Sequence, residues 1–532
     1  MRTSFKRLPF KNFLICLAIA FGNVTYGYHA AIIGTTLSQP TFLIYFGIEN
    51  ETKERSANAD ALIGAMNGSF QAGSLLGVIT TGMILTRYGC KMAIFYAATC
   101  CTIGAAIVTA SQNVAMFIAF RSVAGIGSGL LQVSRCYAGP VYTAELSPPK
   151  FRGFFVGMNG LMIAVGFGLA SWVGLAFNSL VSDSEAQWRG PLGIGILFCL
   201  ISIGFLPFLP ESPRWRMMHA QNEEAWITLR EIHDSDGDEQ LHHFAVREYN
   251  QIRKQVELDC TLDSSWKHMF HKPSYRRRCL LVIAYAFLGE STAMLVITNY
   301  GSILYKQLGY DNHSQIVLEA AYQVIPFVGN LVGCLIVDRV GRRTLMLASL
   351  VGCNIFVALE AAMVAVYADS ASNEAGLKMG VAVLFCFIFC YAIGVDVAGI
   401  VFYGEIFPNH IRAKGLTLAV GARTLTDLVY LEAATTAFAN IGWRFFLVFN
   451  VILTVGTVVM YFVLPETRGL PLEEVAAIFG DKDEVRSYIH QINDEDNNTA
   501  LPEFSDTEVG ESKCELDPSK GSEYLHLEYV GA

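Results

Sequence analysis

Twelve stretches of about twenty consecutive, mostly apolar residues constrain this chain more than any other feature. A helix of that length crosses a hydrocarbon layer of about 30 Å. Only helices and closed barrels satisfy every backbone polar group in lipid. The runs are continuous rather than alternating, so they read as helices. They fall near residues 13–35, 61–84, 92–110, 114–137, 154–177 and 191–209, then 279–301, 316–336, 345–367, 379–402, 415–438 and 443–463. The expected class is an all-α membrane protein of twelve transmembrane helices in two six-helix halves. Its expected domains are a cytoplasmic N-terminus (1–12), a first bundle (13–215), a linker (216–276), a second bundle (277–478) and an acidic, disordered cytoplasmic tail (479–532).

Charge supports this reading. Only 16% of residues are charged, against about 25% in soluble proteins. The net charge of -9 is local, because from residue 471 onward sixteen acids face four bases. The remainder is about +3 and carries no nucleic-acid signature. The N-terminus and the even-numbered connections hold about thirteen Lys and Arg, and the odd-numbered ones about six, which places both termini in the cytoplasm. Asn50 and Asn312 then fall in outward loops as candidate glycan acceptors, while Asn497 stays inside. The thirteen cysteines have neither disulfide nor metal spacing. No nucleophile–base set or phosphate loop is present, and no cofactor is expected. The linker holds two amphipathic pieces, Glu223 to Ile232 and Phe244 to Val256, that read as surface helices.

The halves repeat. Arg87-Tyr88-Gly89-Cys90-Lys91 returns as Arg339-Val340-Gly341-Arg342-Arg343. Glu145 with Pro148, Arg152 and Gly153 returns as Glu405 with Pro408 and Arg412. Pro210-Glu211 with Arg214 returns as Pro465-Glu466 with Arg468. Offsets of 252, 260 and about 255 put all three at equivalent cytoplasmic helix ends. A duplicated six-helix bundle marks a transporter with a midplane site. Arg87, Glu145, Arg152, Asp338, Arg339, Arg342, Arg343, Glu405 and Arg412 read as a cytoplasmic gate of Arg–carboxylate pairs, or as topological anchors alone. Gly125, Gly127 and Gly129 read as one packing side of the fourth helix. Arg121 on the same helix is a membrane-interior charge that needs a partner.

These motifs resemble the sugar porter family of the major facilitator superfamily. The match covers Pro140-x-Tyr142-x-x-Glu145-x-x-Pro148-x3-Arg152-Gly153, Pro210-Glu211-Ser212-Pro213-Arg214-Trp215, Asp338-Arg339-x-Gly341-Arg342-Arg343, Glu405-x-x-Pro408-x3-Arg412-x-Lys414-Gly415 and Pro465-Glu466-Thr467-Arg468-Gly469. The resemblance spans about residues 20–478 and is nearest the fungal branch. It implies the major facilitator fold and alternating access, with uniport or proton symport of sugars.

The departures gather where that family binds sugar. Its first-helix Gly-Tyr-Asp is Gly27-Tyr28-His29 here. Its Gln-Gln pair and later Asn in the seventh helix are Gly289-Glu290 and Leu295. Its Trp-rich segment in the tenth is Val395, Asp396 and Ile400, and its Asn-Trp in the eleventh is Arg423-Thr424, followed by Asp427. Glu290, Asp396, Arg423 and Asp427 are therefore the candidate substrate residues. The spacing of Arg423 and Asp427 also allows mutual neutralisation along one helix. His29 and Arg121 are candidates for proton coupling: Glu290 or His29 would replace the missing first-helix Asp, with Arg121 as the nearby positive partner. The expected function is transport of a small polar solute, sugar- or polyol-like. The alternatives are a charged or larger metabolite, such as an organic acid or natural product, or a nutrient receptor without transport. The expected partners are that solute, protons and the lipid bilayer, with no metal and a monomeric state at the plasma membrane.

Overall fold

The computed structural model describes residues 10–50, 56, 58–146, 152–180, 184–233, 239–307, 310–367, 374–468, 475, 477–481, 515–516 and 525–526. Helices dominate. Among the described residues the only ladder is a two-residue antiparallel pair, Glu515–Leu516 with Leu525–His526.

Twelve spans follow in chain order. The first is Phe10–Leu37. The second and third lie within Ala59–Thr109 and meet at a kink at Gly89, where φ is +81°. The fourth, fifth and sixth are Val114–Leu146, Arg152–Leu180 and Ala186–Phe205. The seventh is split into Pro273–Glu290 and Met294–Gln307, and the eighth into Asn312–Tyr322 and Ile325–Val340. The ninth is Arg342–Tyr367. The tenth runs from Glu374–Cys390 through a π-helical turn, Tyr391–Asp396, into Val397–Ile406. The eleventh and twelfth are Asn409–Ile441 and Arg444–Val463. Ten helical segments are long and apolar enough to cross a bilayer. The segment Ala59–Thr109 supplies two crossings, and the more polar eleventh span is not among the ten.

The outside of the bundle is as apolar as its inside. Phe462 is 78% exposed and Leu335 66%, and the twelfth span presents Val451, Val455 and Val458 outward. In water this would be an aggregation surface, and in lipid it is the solvated face.

Close packing inside each half depends on small residues. Gly125 and Gly129 of the fourth span lie against Phe70 and Ser74 of the second, and Gly127 lies against Ala97 and Cys101 of the third. These glycines therefore serve two neighbours rather than the single side expected from their spacing. Between the halves, Gly34 passes beside Thr298 and Asn299. The Thr435 hydroxyl donates to the Asp60 carbonyl at 2.8 Å across the same seam, while within the second half Tyr300 donates to the Leu431 carbonyl at 2.9 Å. Val78, Val133 and Val420 join the second, fourth and eleventh spans elsewhere along the same seam.

The linker forms both expected helices, Asn222–His233 and Glu239–Thr261. They close a small core of Met217, Ala225, Leu229, Tyr249, Ile252 and Val256. After the twelfth span, Asp481 returns to the seventh and accepts from the buried Arg278 guanidinium at 2.7 Å and pairs with Lys272 at 3.1 Å.

The repeated motifs build one device twice. Gly89 and Gly341 turn the chain at φ +81° and +99°. Glu211 then accepts the backbone N–H groups of Cys90 and Lys91 at 3.0 and 3.2 Å. Glu466 accepts those of Arg342 and Arg343 at the same two distances. A Cβ on either glycine would press into the capping carboxyl as well as adopt a left-handed backbone. Gly341→Ala is therefore expected to cost about 1–2 kcal/mol and to lower the thermal midpoint. The control Gly204→Ala, whose Cβ meets nothing within 4 Å, is expected to leave the midpoint in place.

Candidate functional site

The seventh span stops at Glu290, about twelve residues and so roughly 18 Å beyond Arg278 at its cytoplasmic end, near mid-bilayer. The break is made by Ser291, Thr292 and Ala293. Ala293 sits at φ +66°, a conformation costly to any residue but glycine. Side chains hold the break. Thr292 bonds the Gly289 carbonyl at 2.8 Å, Ser291 the Phe287 carbonyl at 2.7 Å, and Ser291 also meets the Tyr430 hydroxyl at 2.9 Å. Broken helices at this depth expose backbone ends and place charges where a solute passes.

The tenth span answers with its π turn, a geometry that recurs at functional sites. Ser349 of the ninth span occupies the loosened ladder: it donates to the Cys390 carbonyl and accepts from the Val395 N–H. The turn presents Tyr391 and Asp396 to the eleventh span. There the Arg423 guanidinium forms an ion pair with Glu290. It lies 4.0 Å from Asp396 and donates to the Tyr391 hydroxyl at 3.3 Å. Asn330 of the eighth span donates to Asp396 at 3.2 Å. Asp427, 8% exposed, stands within hydrogen-bond reach of Glu290.

Glu290 is buried, while Arg423 keeps 25% and Asp396 17% of its side chain open. These two line a narrow pocket together with Tyr285, Tyr403, Val395 and Ile400. A carboxylate at a helix C-terminus opposes the helix dipole, and Arg423 compensates it. Three carboxyls surround one guanidinium, so the site has more hydrogen-bond acceptors than cations.

The four residues proposed from sequence as substrate ligands thus converge on one place, in a different pairing from the local one. Arg423 makes its ion pair with Glu290 across 133 positions of sequence, and forms none with Asp427 one turn away. The side chain of Arg423 reaches across to the neighbouring span, where a buried charge would otherwise stand uncompensated. Tyr285, Tyr391, Tyr403 and Asn330 were not singled out from sequence.

The two proposed coupling residues are not brought to this cluster. Arg121 is 3% exposed and donates to the Met66 carbonyl at 3.1 Å, with its guanidinium 5.0 Å from the Phe70 ring. Both partners belong to the second span, so Arg121 is not the counter-charge of Glu290. His29 meets the Cys199 sulfur of the sixth span at 3.2 Å, inside the first half.

At the cytoplasmic ends, Arg342 bridges Asp338 and Glu405, both at 2.9 Å, and Thr467 donates to Glu405 at 2.6 Å. Arg343 donates to the Tyr461 carbonyl at 2.6 Å, and Arg339 is exposed. These two are therefore not the carboxylate partners expected of a gate. Arg412 donates to the Phe407 carbonyl at 3.4 Å. In the other half Arg87 is exposed and lies over the Tyr88 ring, and the side chains of Glu145 and Arg152 lie outside the described residues. On the outer side Asn50 is exposed, and Asn312 opens its helix with its side chain outside the described residues.

Residues 15–479 match the family described as sugar (and other) transporter. The chain is 29% identical to the MFS-type transporter criB of Aspergillus cristatus, over 88% of this chain and 93% of that one. It is also 29% identical to myo-inositol transporter 2 of Cryptococcus neoformans, over 90% and 84%. Among solved structures, the proton:xylose symporter XylE bound to 6-bromo-6-deoxy-D-glucose superposes with a TM-score of 0.73 at 22% identity, covering 89% of this chain and all of that one.

Proposed function

The chain belongs to the sugar (and other) transporter family of the major facilitator superfamily, and from that membership we propose that it carries a sugar- or polyol-like solute across the membrane by alternating access. The observation that carries this reading is the acceptor-rich cluster of Glu290, Asp396 and Asp427 around Arg423, beside the break in the seventh span. Hydroxyl donors of a neutral solute suit such acceptors, and buried polar groups left unpaired are costly. The relatives named for myo-inositol and xylose support the solute class. Proton symport at the plasma membrane by a glycosylated monomer completes the proposal. Arg342, Glu405 and Asp338 form a latch that opens with the inner side.

A positively charged metabolite is the second reading, favoured by the excess of carboxyls over cations at the site. Uptake of labelled hexoses, polyols, organic acids and organic cations, each at acidic and neutral pH, separates the two. Saturable uptake of a hexose or polyol is expected. Uptake confined to a cation would replace the first reading with the second.

Glu290→Gln keeps shape and hydrogen bonding but removes one charge. It is expected to lose pH-dependent accumulation while retaining solute exchange. Unchanged pH dependence together with unchanged affinity would remove Glu290 from both roles.

A further inference from the structure

A second set of acids lies in the outer part of the C-terminal half. Glu319, in Asn312–Tyr322 of the eighth span, is 2% exposed, and Glu360 of the ninth is 1% exposed. Each stands seven residues from the outer end of its helix, so both lie about 10 Å below that surface. Gln323 donates to one oxygen of Glu319 at 3.1 Å. Among the described residues, the other oxygen of Glu319 and both oxygens of Glu360 have no hydrogen-bond partner. Neither acid is charge-paired with a Lys, Arg or His among the described residues.

The surroundings are polar. Tyr305 of the seventh span and Tyr322 of the eighth are each 1% exposed, and both lie within electrostatic range of both acids. The hydroxyls of Tyr322 and Thr298 face each other. The other titratable groups facing these tyrosines are Tyr310 and Cys353, and neither is a cation. An isolated carboxylate at such a position costs several kcal/mol. A carboxylic acid removes that cost and supplies an O–H to a chain of hydroxyls that has acceptors to spare. The central cluster differs, because there Arg423 already compensates one acid.

We propose that Glu319 and Glu360 are proton-binding carboxyls of a second site, outward of the central cluster, with Tyr305 and Tyr322 near both. Glu319 packs against Gly301, on the same half-span whose Thr298 and Asn299 press against Gly34 of the first half. The proton on Glu319 therefore sits one turn from an outer contact between the halves. Its loss would place a bare charge beneath that helix and favour opening toward water. This deepens the transport reading by locating where an outside proton is sensed, yet proton occupancy itself is independent of the solute.

The test is infrared spectroscopy of the full chain in lipid nanodiscs, without solute, at neutral pH. The wild type is expected to show the carbonyl stretch of buried carboxylic acids. Glu319→Gln and Glu360→Gln should each lose part of that band, and Glu290→Gln should keep the parts those variants remove. Tyr322→Phe retains both acids and should shift the band without loss, which keeps the test decisive should a glutamine variant fold poorly. A band unchanged in both glutamine variants would overturn the proposal. So would thermal stabilisation by Na+ that Glu360→Gln abolishes, because the site would then hold a metal cation. Failure of sugar uptake with these bands intact would count against the solute reading alone.

Discussion

Replacing Arg423 with alanine is expected to abolish transport and to destabilise the C-terminal half by about 3 kcal/mol. Glu290, 3% exposed at its side chain, would lose its ion pair, and Asp396 would keep only Asn330. Removing one partner of a buried pair costs more than the pair contributes, because the remaining charge cannot return to water. The estimate sits at the low end of that range because Arg423 is 25% open to the pocket. Thermal unfolding of purified protein, with uptake normalised to surface protein, reads both effects. Adding Glu290→Gln to the alanine variant should recover a large share of the stability but not the transport. Wild-type melting in the single variant would show that Arg423 is not the compensating charge.

Glu466→Ala is expected to have the next largest effect. One carboxylate accepts the backbone N–H groups of Arg342, Thr467 and Arg468 at 3.0 Å and of Arg343 at 3.2 Å. The two arginine amides open the ninth span, where helical N–H groups have no partner of their own. Charge-assisted bonds of this kind each contribute about 1.5–3 kcal/mol. Because water replaces part of them at a cytoplasmic end, the expected loss is about 2–4 kcal/mol. Glu466→Gln, whose amide oxygen still accepts, should lose about half as much. The alanine variant should also loosen Glu405, which Thr467 and Arg342 hold. A cysteine-reactive probe applied from the cytoplasmic side should therefore reach the cavity faster. Unchanged melting and unchanged labelling would reduce the carboxylate to a bystander.

Apolar run length was enough to read the twelve spans, and the repeated motifs marked equivalent cytoplasmic helix ends, which the structure shows to be capped by Glu211 and Glu466. What those caps do was not legible. The Pro-Glu motif and the Arg-x-Gly motif lie more than a hundred residues apart, and only folding brings carboxylate to amide. The central acids were found because they replace neutral ligands expected by family resemblance. Their pairing was not legible, because the i,i+4 spacing of Arg423 and Asp427 offers a local pairing that Glu290 overrides. Glu319 and Glu360 were passed over, although the same rule that flagged Glu290 applies to them, since each is an acid inside an otherwise apolar span. The break after Glu290 and the π turn after Cys390 left no sequence mark. Neither contains proline, and both are held by hydroxyl side chains from Ser291, Thr292 and Ser349.

The charges of the eleventh span also bear on how the chain is made. Five charged residues stand among its 33, with Arg423 and Asp427 near its middle. Centrally placed charges cost about 2.5–3.5 kcal/mol each during insertion, so this pair opposes partitioning by about 5–7 kcal/mol. Such a segment does not enter the bilayer on its own hydrophobicity. Its neighbour Arg444–Val463 is strongly apolar, and synthesis completes the Glu290-bearing span well before Arg423 leaves the ribosome. The eleventh span is thus expected to insert late, as a hairpin with the twelfth, docking its guanidinium onto an acid already in place. Biogenesis of the second bundle then has a checkpoint, and chains in which position 290 can no longer accept a hydrogen bond from Arg423, as in Glu290→Ala, would be retained at the translocon before any question of transport arises.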